Sequence, residues 1–262
     1  MNEHNPKRLF YGSCFALITT AFSFSIRAGI LPQLATEFNL TATQLGFINQ
    51  MFFLGFPISM VLGGIFYGTL GPKRIMIFAF FAHTLGIIMT IYAGGYTGLL
   101  ISTLFIGLGN GCTEAACNPM IATAYTGKLM NTLMNRFHMW FPGGIVLGSL
   151  VSYFMTEMEL GWQAQIWVIM IPTLIYAYLF WGQIFPEGKN IEVDSLKANL
   201  KAMITPLFLF MCACMTLTAI SEFGPTQWAQ LVLAKSGAEP MVILALITGL
   251  MAVGRYFGGE FV

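Results

Sequence analysis

Eight stretches of this chain are apolar and long enough to cross the roughly 30 Å of hydrocarbon in a bilayer. They cover residues 9–31, 43–70, 75–92, 98–125, 133–155, 166–185, 203–228 and 241–262. In hydrocarbon every backbone N–H and C=O group must be bonded inside the protein, which for segments of this length leaves the helix. Only 9% of the residues are charged, compared with about 25% in a soluble domain. The sequence therefore predicts an all-α, multi-pass integral membrane protein.

Composition and cysteine placement exclude several classes of protein. The net charge is +1 and the charged residues fall in short gaps between apolar stretches, so no surface for nucleic acid is expected. All five cysteines lie inside apolar stretches, where we expect no disulfides. No His, Cys or carboxylate cluster has the spacing of a metal site or of an activated nucleophile. We therefore expect no cofactor, no metal site and no enzymatic activity.

One polar connection divides the chain. It predicts an N-terminal bundle of six helices over residues 1–185, a linker over 186–202 and a partial second bundle over 203–262. Basic residues concentrate on one side of the predicted spans, which by the positive-inside rule makes the N-terminus and the linker cytoplasmic, in an inner or plasma membrane. These basic residues are Lys7, Arg8, Lys73, Arg74, Lys128, Lys189, Lys197 and Lys201.

A weak internal repeat relates the two sides of the linker. At an offset of 195 residues Phe15 falls on Phe210, Gly29 on Gly224, and Arg27 on Glu222. The order of these matches fits two halves of six spans each, a repeat that some secondary transporters use. On this interpretation the chain stops in the second helix of its second half, and we expect that it does not transport alone.

Glu114 lies in the middle of the fourth apolar stretch. A carboxylate at the centre of a spanning helix costs about 2.5 to 3.5 kcal/mol on insertion scales, so we expect it to face a polar cavity or a partner. A spacing of four places Asn110, Glu114 and Asn118 on one face of that helix. The fourth span therefore carries a candidate site.

Three more helices carry polar residues at helical spacing. Interhelical hydrogen bonding explains the hydroxyl groups and Asn131, because Ser, Thr and Asn make such bonds routinely in membrane bundles. For the isolated charges we favour a functional role, since only an aqueous cavity or an ion pair offsets their cost. His138 is left open between solute contact and a neutral hydrogen-bonding role. The predicted solute-binding residues are Arg27, Asn110, Glu114, Asn118, Asn135, His138 and Glu222.

Glu114 is also the candidate for proton coupling. A carboxyl group changes its proton affinity with burial and with nearby charges, so alternating exposure can load and release a proton in each cycle. The hypothesis is that protonation of Glu114 and binding of a solute are linked.

Other conspicuous residues are given structural roles. Small residues in the fourth and fifth spans predict close helix approach rather than a phosphate-binding loop, because no strand precedes them. Tryptophans near helix ends predict anchoring in the headgroup layer. His83 is predicted to be a packed or interfacial ring. The small residues are Gly107, Gly109, Gly111, Gly144 and Gly148, and the tryptophans are Trp162, Trp167 and Trp181.

The connection between the second and third spans carries a family-like motif. The stretch 64–74 resembles the signature G-x-L-A-D-R-x-G-R-K-R of the major facilitator superfamily, with Gly68 and Thr69 in place of its acidic residue and first arginine. The resemblance implies the helical bundle of that superfamily and a gating role for this loop. The matching residues, taken as the gating motif, are Gly64, Gly71, Lys73 and Arg74.

A second motif is similar to one in the fucose and proton symporter group of that superfamily. The fourth helix of that group carries E-T-A-A-N-P, and residues 114–119 here keep the glutamate, asparagine and proline. The resemblance implies that Glu114 takes part in proton coupling and sugar recognition. This chain departs from the group at Ala28, where an acidic residue is expected, and at His138 and Phe141 in the fifth helix.

The sequence therefore predicts a secondary active transporter, a monomer in the lipid bilayer, that moves a small polar solute, most simply a sugar, with protons by alternating access. Fold analogy alone does not fix a substrate. A basic residue in the cavity leaves open an exporter or an organic-anion exchanger centred on Arg27. A non-transporting membrane scaffold or a fragment is the third alternative.

Overall fold

The computed structural model describes residues 5–186, 201–233 and 237–258, so that most of the predicted linker lies outside the described residues. Within these ranges the protein has seven helices long and apolar enough to cross a membrane. We call α1 to α5 the N-terminal bundle, and α6 and α7 the C-terminal pair. The helices are α1 Pro6–Glu37, α2 Ala42–Ile91, α3 Tyr96–Ala124, α4 Gly127–Glu157, α5 Trp162–Phe180, α6 Pro206–Leu233 and α7 Pro240–Gly258.

The second and third predicted spans form the single long helix α2, which is broken at Gly71. That residue has φ 70° and ψ 161°, a conformation essentially restricted to glycine. Pro72 follows at once and suits the first turn of the second segment, where its missing N–H group has no helical partner to lose. The eight predicted spans are therefore present, two of them joined through one kink.

Glycines let α2 and α3 pack with their backbones almost in contact. A methyl group on Gly55 would lie 2.6 Å from the carbonyl oxygen of Leu104, and one on Gly107 or Gly111 would overlap a carbonyl oxygen of α2. In α4 a methyl group on Gly144 would come within 2.6 Å of the Ala21 side chain in α1. The prediction that these small residues permit close helix approach is confirmed.

Apolar packing joins the N-terminal bundle to the C-terminal pair. One buried cluster combines residues of α1, α2, α3 and α4 with Met241 and Leu244 of α7, and Phe223 of α6 packs against it. Helix α7 also lies along α4, where Gly249 would contact Val146 if it carried a methyl group. The two parts therefore meet through side chains of α1, α2 and α4.

The prediction that tryptophans near helix ends anchor in the headgroup layer is wrong for Trp162. Its side chain is only 2% exposed, and its indole N–H donates to the Glu37 carboxylate while its ring packs edge-on against Phe38. It ties the start of α5 to the end of α1, because a buried indole N–H needs an acceptor. Trp181, at 80% exposure, and Trp167 remain available as interfacial anchors.

Replacing Gly111 with alanine is expected to destabilise the protein by about 1 to 3 kcal/mol, since the new methyl group meets the backbone of α2 at Phe56 and Met60. Thermal unfolding in detergent measures the change. Gly143→Ala is the control, because nothing lies within 4 Å of its added methyl group. An equal melting temperature for Gly111→Ala and the control would contradict the close packing of α2 and α3.

Candidate functional site

Glu114 and Asn118 form a side-chain pair on one face of α3. The Asn118 amide nitrogen donates to the Glu114 carboxylate at 2.6 Å and to the Glu114 carbonyl oxygen at 3.0 Å. Both side chains are partly buried. The spacing of four on a helix brings them together as expected, so the carboxylate is held by a neutral donor from its own helix.

The C-terminal pair supplies a positive charge to this place. Arg255 in the last turn of α7 donates through Nη1 to the backbone oxygen of His138 in α4 at 3.3 Å. Its guanidinium lies within electrostatic range of the Glu114 carboxylate and of the His138 ring. We call Glu114, Asn118, His138 and Arg255 the interface cluster, because its members come from both parts of the molecule.

Arg27 lies at a different depth. Each residue advances a helix by about 1.5 Å, so Arg27 is about 30 Å from the first residue of α1, whereas Glu114 is about 15 Å from the last residue of α3 at the same end of the bundle. Its guanidinium donates to Asn49 of α2 and stands 4.1 Å from the centroid of the Phe52 ring. A small pocket beside it is lined by aliphatic side chains and by Ser23, Thr90 and Thr103.

Five phenylalanine rings pack together beside Arg27, and we call them the phenylalanine layer. Their centroids are 5.4 to 6.3 Å apart, mostly in edge-to-face contacts, the arrangement that aromatic pairs prefer. The layer joins three helices of the N-terminal bundle to α6. Its members are Phe24, Phe52, Phe53, Phe141 and Phe223.

A buried hydrogen-bond chain crosses the N-terminal bundle. The Asn110 amide nitrogen donates to Ser23 at 3.1 Å, so its oxygen accepts from His83 Nε2 at 2.9 Å. The other ring nitrogen of His83 then accepts from the Tyr176 hydroxyl at 3.0 Å. The chain links α1, α2, α3 and α5 and leaves each side-chain group partnered, as buried polar networks require.

The Asn110 side chain therefore points toward α1 and α2 and is fully buried. It does not join the pair formed by Glu114 and Asn118. His83 is packed, as predicted, but it also carries two hydrogen bonds. A solute-binding role for Asn110 stays a prediction, and it requires the hydrogen bonds that Asn110 makes to His83 and Ser23 to break.

The remaining predicted residues are distributed over the bundle. Asn135 is partly buried and donates to the carbonyl oxygen of Asn131, one turn earlier in α4. Glu222 is partly buried in α6 beside Phe223 of the phenylalanine layer. In the predicted gating motif Gly71 forms the kink, while Gly64, Lys73 and Arg74 are exposed. No trio of potential metal ligands occurs among the described residues.

Two residues of the site were missed in the sequence. Arg255 lies in the last apolar stretch, and the insertion cost that drew attention to Glu114 applies to it equally. Tyr176 carries no such signal, because a tyrosine in an apolar helix ordinarily packs like phenylalanine. Its hydroxyl partner His83 lies 93 residues away and cannot be found from spacing.

Comparison with known proteins decides the family. Residues 13–262 match the sequence model of the Major Facilitator Superfamily. The chain belongs to this family. It is thus a multi-pass integral membrane protein of that superfamily, and the predicted all-α fold is confirmed.

Relatives within the superfamily support the same fold. The hexuronate transporter of Bacillus subtilis is 28% identical over 176 residues, which make up 67% of this chain and 41% of that transporter. A D-xylose-proton symporter structure has a TM-score of 0.72 at 17% identity and covers 94% of this chain and 66% of that one. The Escherichia coli fucose:proton symporter gives 0.68 at 18% identity, covering 96% and 70%. The match to the hexuronate transporter thus spans about two fifths of that protein's length.

Replacing Tyr176 with phenylalanine is expected to cost this superfamily member about 1 to 3 kcal/mol, because His83 Nδ1 then loses its buried donor. Tyr178→Phe in the same helix is the matched control, since its side chain is 72% exposed. Thermal unfolding of both variants measures the difference. Equal stabilities would show that the hydrogen-bond chain does not hold the bundle together.

Proposed function

We propose that this protein is a secondary active transporter that moves a small sugar-type solute together with protons by alternating access. Solute is expected to bind near the membrane midplane between the N-terminal bundle and the C-terminal half, as in other transporters built from repeats. The basic residues Lys7, Arg8, Lys73 and Arg74 support a cytoplasmic N-terminus.

The Glu114 and Asn118 pair carries the proton-coupling part of the proposal. Burial disfavours the charged form of any carboxyl group, while an N–H donor and a nearby cation favour it. Glu114 combines all three influences at the interface between the two parts of the molecule. A rocking movement that changes its burial would therefore change its proton occupancy.

The sugar part rests on likeness. The E-x-x-x-N-P element at 114–119 resembles the corresponding helix of fucose symporters, and the fold resembles those of a xylose and a fucose symporter. Carboxylate and amide groups such as those of Glu114 and Asn118 are suited to binding the hydroxyl groups of a sugar. The carboxylate accepts hydrogen bonds from hydroxyl groups, and the amide both accepts and donates them.

Arg27 favours an anionic sugar as the second candidate. It is a buried guanidinium on a spanning helix, and a guanidinium fork is well matched to a carboxylate. A relative is named a hexuronate transporter, and a hexuronate is a sugar with a carboxylate. An organic-anion exchanger using the same residue would share this preference but would not need Glu114 for coupling.

Replacing Glu114 with glutamine is expected to abolish uphill accumulation driven by a pH gradient, because the amide cannot take up the transported proton. Uptake of labelled L-fucose, D-xylose and D-glucuronate into proteoliposomes measures the effect. Downhill exchange at equal pH is expected to persist in the variant. Glu157→Gln, an exposed position at the end of α4, is the control. Unchanged gradient-driven accumulation by Glu114→Gln would refute the coupling role.

Replacing Arg27 with glutamine separates neutral from anionic solutes. If Arg27 binds the solute carboxylate, D-glucuronate uptake should fall about tenfold or more while D-xylose uptake stays, since a charged hydrogen bond contributes about 1.5 to 3 kcal/mol. Arg27→Lys keeps the charge and should lose less. Equal losses for both solutes would instead assign Arg27 to packing against Asn49 and Phe52.

A further inference from the structure

The exposed residues of α5 all lie on one face of that helix. They follow one another at spacings of four, three and four, which is the spacing of neighbours on a helix surface. The opposite face is buried against the rest of the N-terminal bundle. The exposed face continues one turn further, to the residue that ends the helix. We call it the α5 stripe, and its members are Trp167, Ile171, Leu174, Tyr178 and Trp181.

The α5 stripe has the length and the polarity of a surface that contacts lipid. At 1.5 Å per residue it runs for about 21 Å, which exceeds the roughly 15 Å of hydrocarbon in one leaflet. Its middle is aliphatic, while its end beside the start of α1 carries Tyr178 and Trp181. Such amphipathic rings prefer the headgroup layer. This end of the stripe therefore lies at headgroup depth and its middle at the depth of acyl chains.

Arg8 of α1 lies at the headgroup end of the stripe. Its Nη2 atom donates to the carbonyl oxygens of Tyr178 at 2.7 Å and of Trp181 at 3.4 Å, and its guanidinium is 5.4 Å from the centroid of the Tyr178 ring. These oxygens lie at the C-terminal end of α5, so the arginine offsets the partial negative charge of that helix end. Both bonds use one nitrogen. The N–H groups on Nε and Nη1 therefore have no described acceptor and can bind an anion.

The positive charge at this edge is held in place by the contact between α1 and α5. The exposed Lys7 precedes Arg8 in the first turn of α1, and Asn5 caps that turn by accepting from the Arg8 backbone N–H at 3.1 Å. One turn further on, a methyl group on Gly12 would lie 2.7 Å from the Phe180 ring. Among the described residues, no ion pair reaches either cation. Two adjacent cations thus stand beside an apolar stripe without a protein anion.

We propose that this edge of α1 and α5 binds one phospholipid with an anionic headgroup. The lipid phosphate lies against Lys7 and against Nε and Nη1 of Arg8, and one acyl chain lies along the α5 stripe. The indole N–H of Trp181 adds a donor at headgroup depth. A zwitterionic lipid fits the same stripe, but its own cation is repelled by the two basic residues, so the site selects for net headgroup charge. This assignment does not depend on which solute the protein carries.

Native mass spectrometry of the detergent-solubilised protein, with phosphatidylglycerol or phosphatidylcholine added, tests the inference. The unaltered protein is expected to retain one phosphatidylglycerol under conditions that remove phosphatidylcholine. Lys7→Gln and Arg8→Gln should each lower the affinity for phosphatidylglycerol about fivefold, the effect of one basic residue near an anionic surface. Trp181→Leu should also weaken binding. The rise in melting temperature on adding lipid is compared within each variant, because Arg8→Gln also removes the bonds to α5.

Two control variants change the same kinds of side chain elsewhere. Lys128→Gln removes an exposed cation at the same end of the bundle, where Tyr125 packs edge-on against Phe10 with centroids 6.4 Å apart. Tyr92→Leu removes an aromatic ring that is 76% exposed at the end of α2, on the opposite side of the membrane. Both controls should retain phosphatidylglycerol as the unaltered protein does.

Selective retention of phosphatidylglycerol that is weakened in Lys7→Gln and Arg8→Gln but kept in both controls supports the site. Equal retention of the two lipids by the unaltered protein overturns the selection for charge. Unchanged affinity in the Lys7 and Arg8 variants, or an equal loss in Lys128→Gln, overturns the assignment to this edge. Equal stabilisation by glycerol 3-phosphate would assign the cations to a soluble anion and overturn the lipid site. If Arg8→Gln does not fold, Lys7→Gln and Trp181→Leu decide the outcome.

Discussion

The cost of a charged side chain in hydrocarbon governs where the ionisable residues of this bundle lie. Insertion of one charge at the helix centre costs about as much as several hydrogen bonds contribute, so each must find a partner or a cavity. The Arg27 guanidinium donates a hydrogen bond to Asn49 and lies over the face of the Phe52 ring. The Glu114 carboxylate accepts a hydrogen bond from Asn118, and the charge of Arg255 also acts on it. Each of these two charges therefore lies against a partner inside the bundle.

The two parts of the molecule are joined by different kinds of contact. Inside the N-terminal bundle, glycines bring α2 and α3 into backbone contact, and the chain from Tyr176 through His83 to Asn110 ties helices together. Between this bundle and the C-terminal pair, apolar rings and an arginine bonded to a carbonyl oxygen predominate. Such contacts can separate without leaving a network of buried polar groups unpaired, which suits movement at this boundary.

Sequence reasoning predicted what depends on local pattern. The apolar stretches gave the helices, the glycine stripe gave their close approach, and a spacing of four gave the Glu114 and Asn118 pair. It failed where packing between distant helices decides. Asn110 shares a helix with Glu114, yet its side chain is hydrogen-bonded to His83 and Ser23. Trp162 is buried and donates a hydrogen bond to Glu37, so it does not lie in the headgroup layer. Arg255 could have been found, because it is a charge within an apolar stretch.

The central claim is that Glu114 gains or loses a proton as solute binds. The most direct measurement follows the pH of weakly buffered, detergent-solubilised protein when L-fucose, D-xylose or D-glucuronate is added. The account predicts that the unaltered protein takes up protons in proportion to the solute it binds. The Glu114→Gln variant is expected to bind solute without taking up protons. Solute binding without a change in pH, or equal proton uptake by both proteins, would contradict the account.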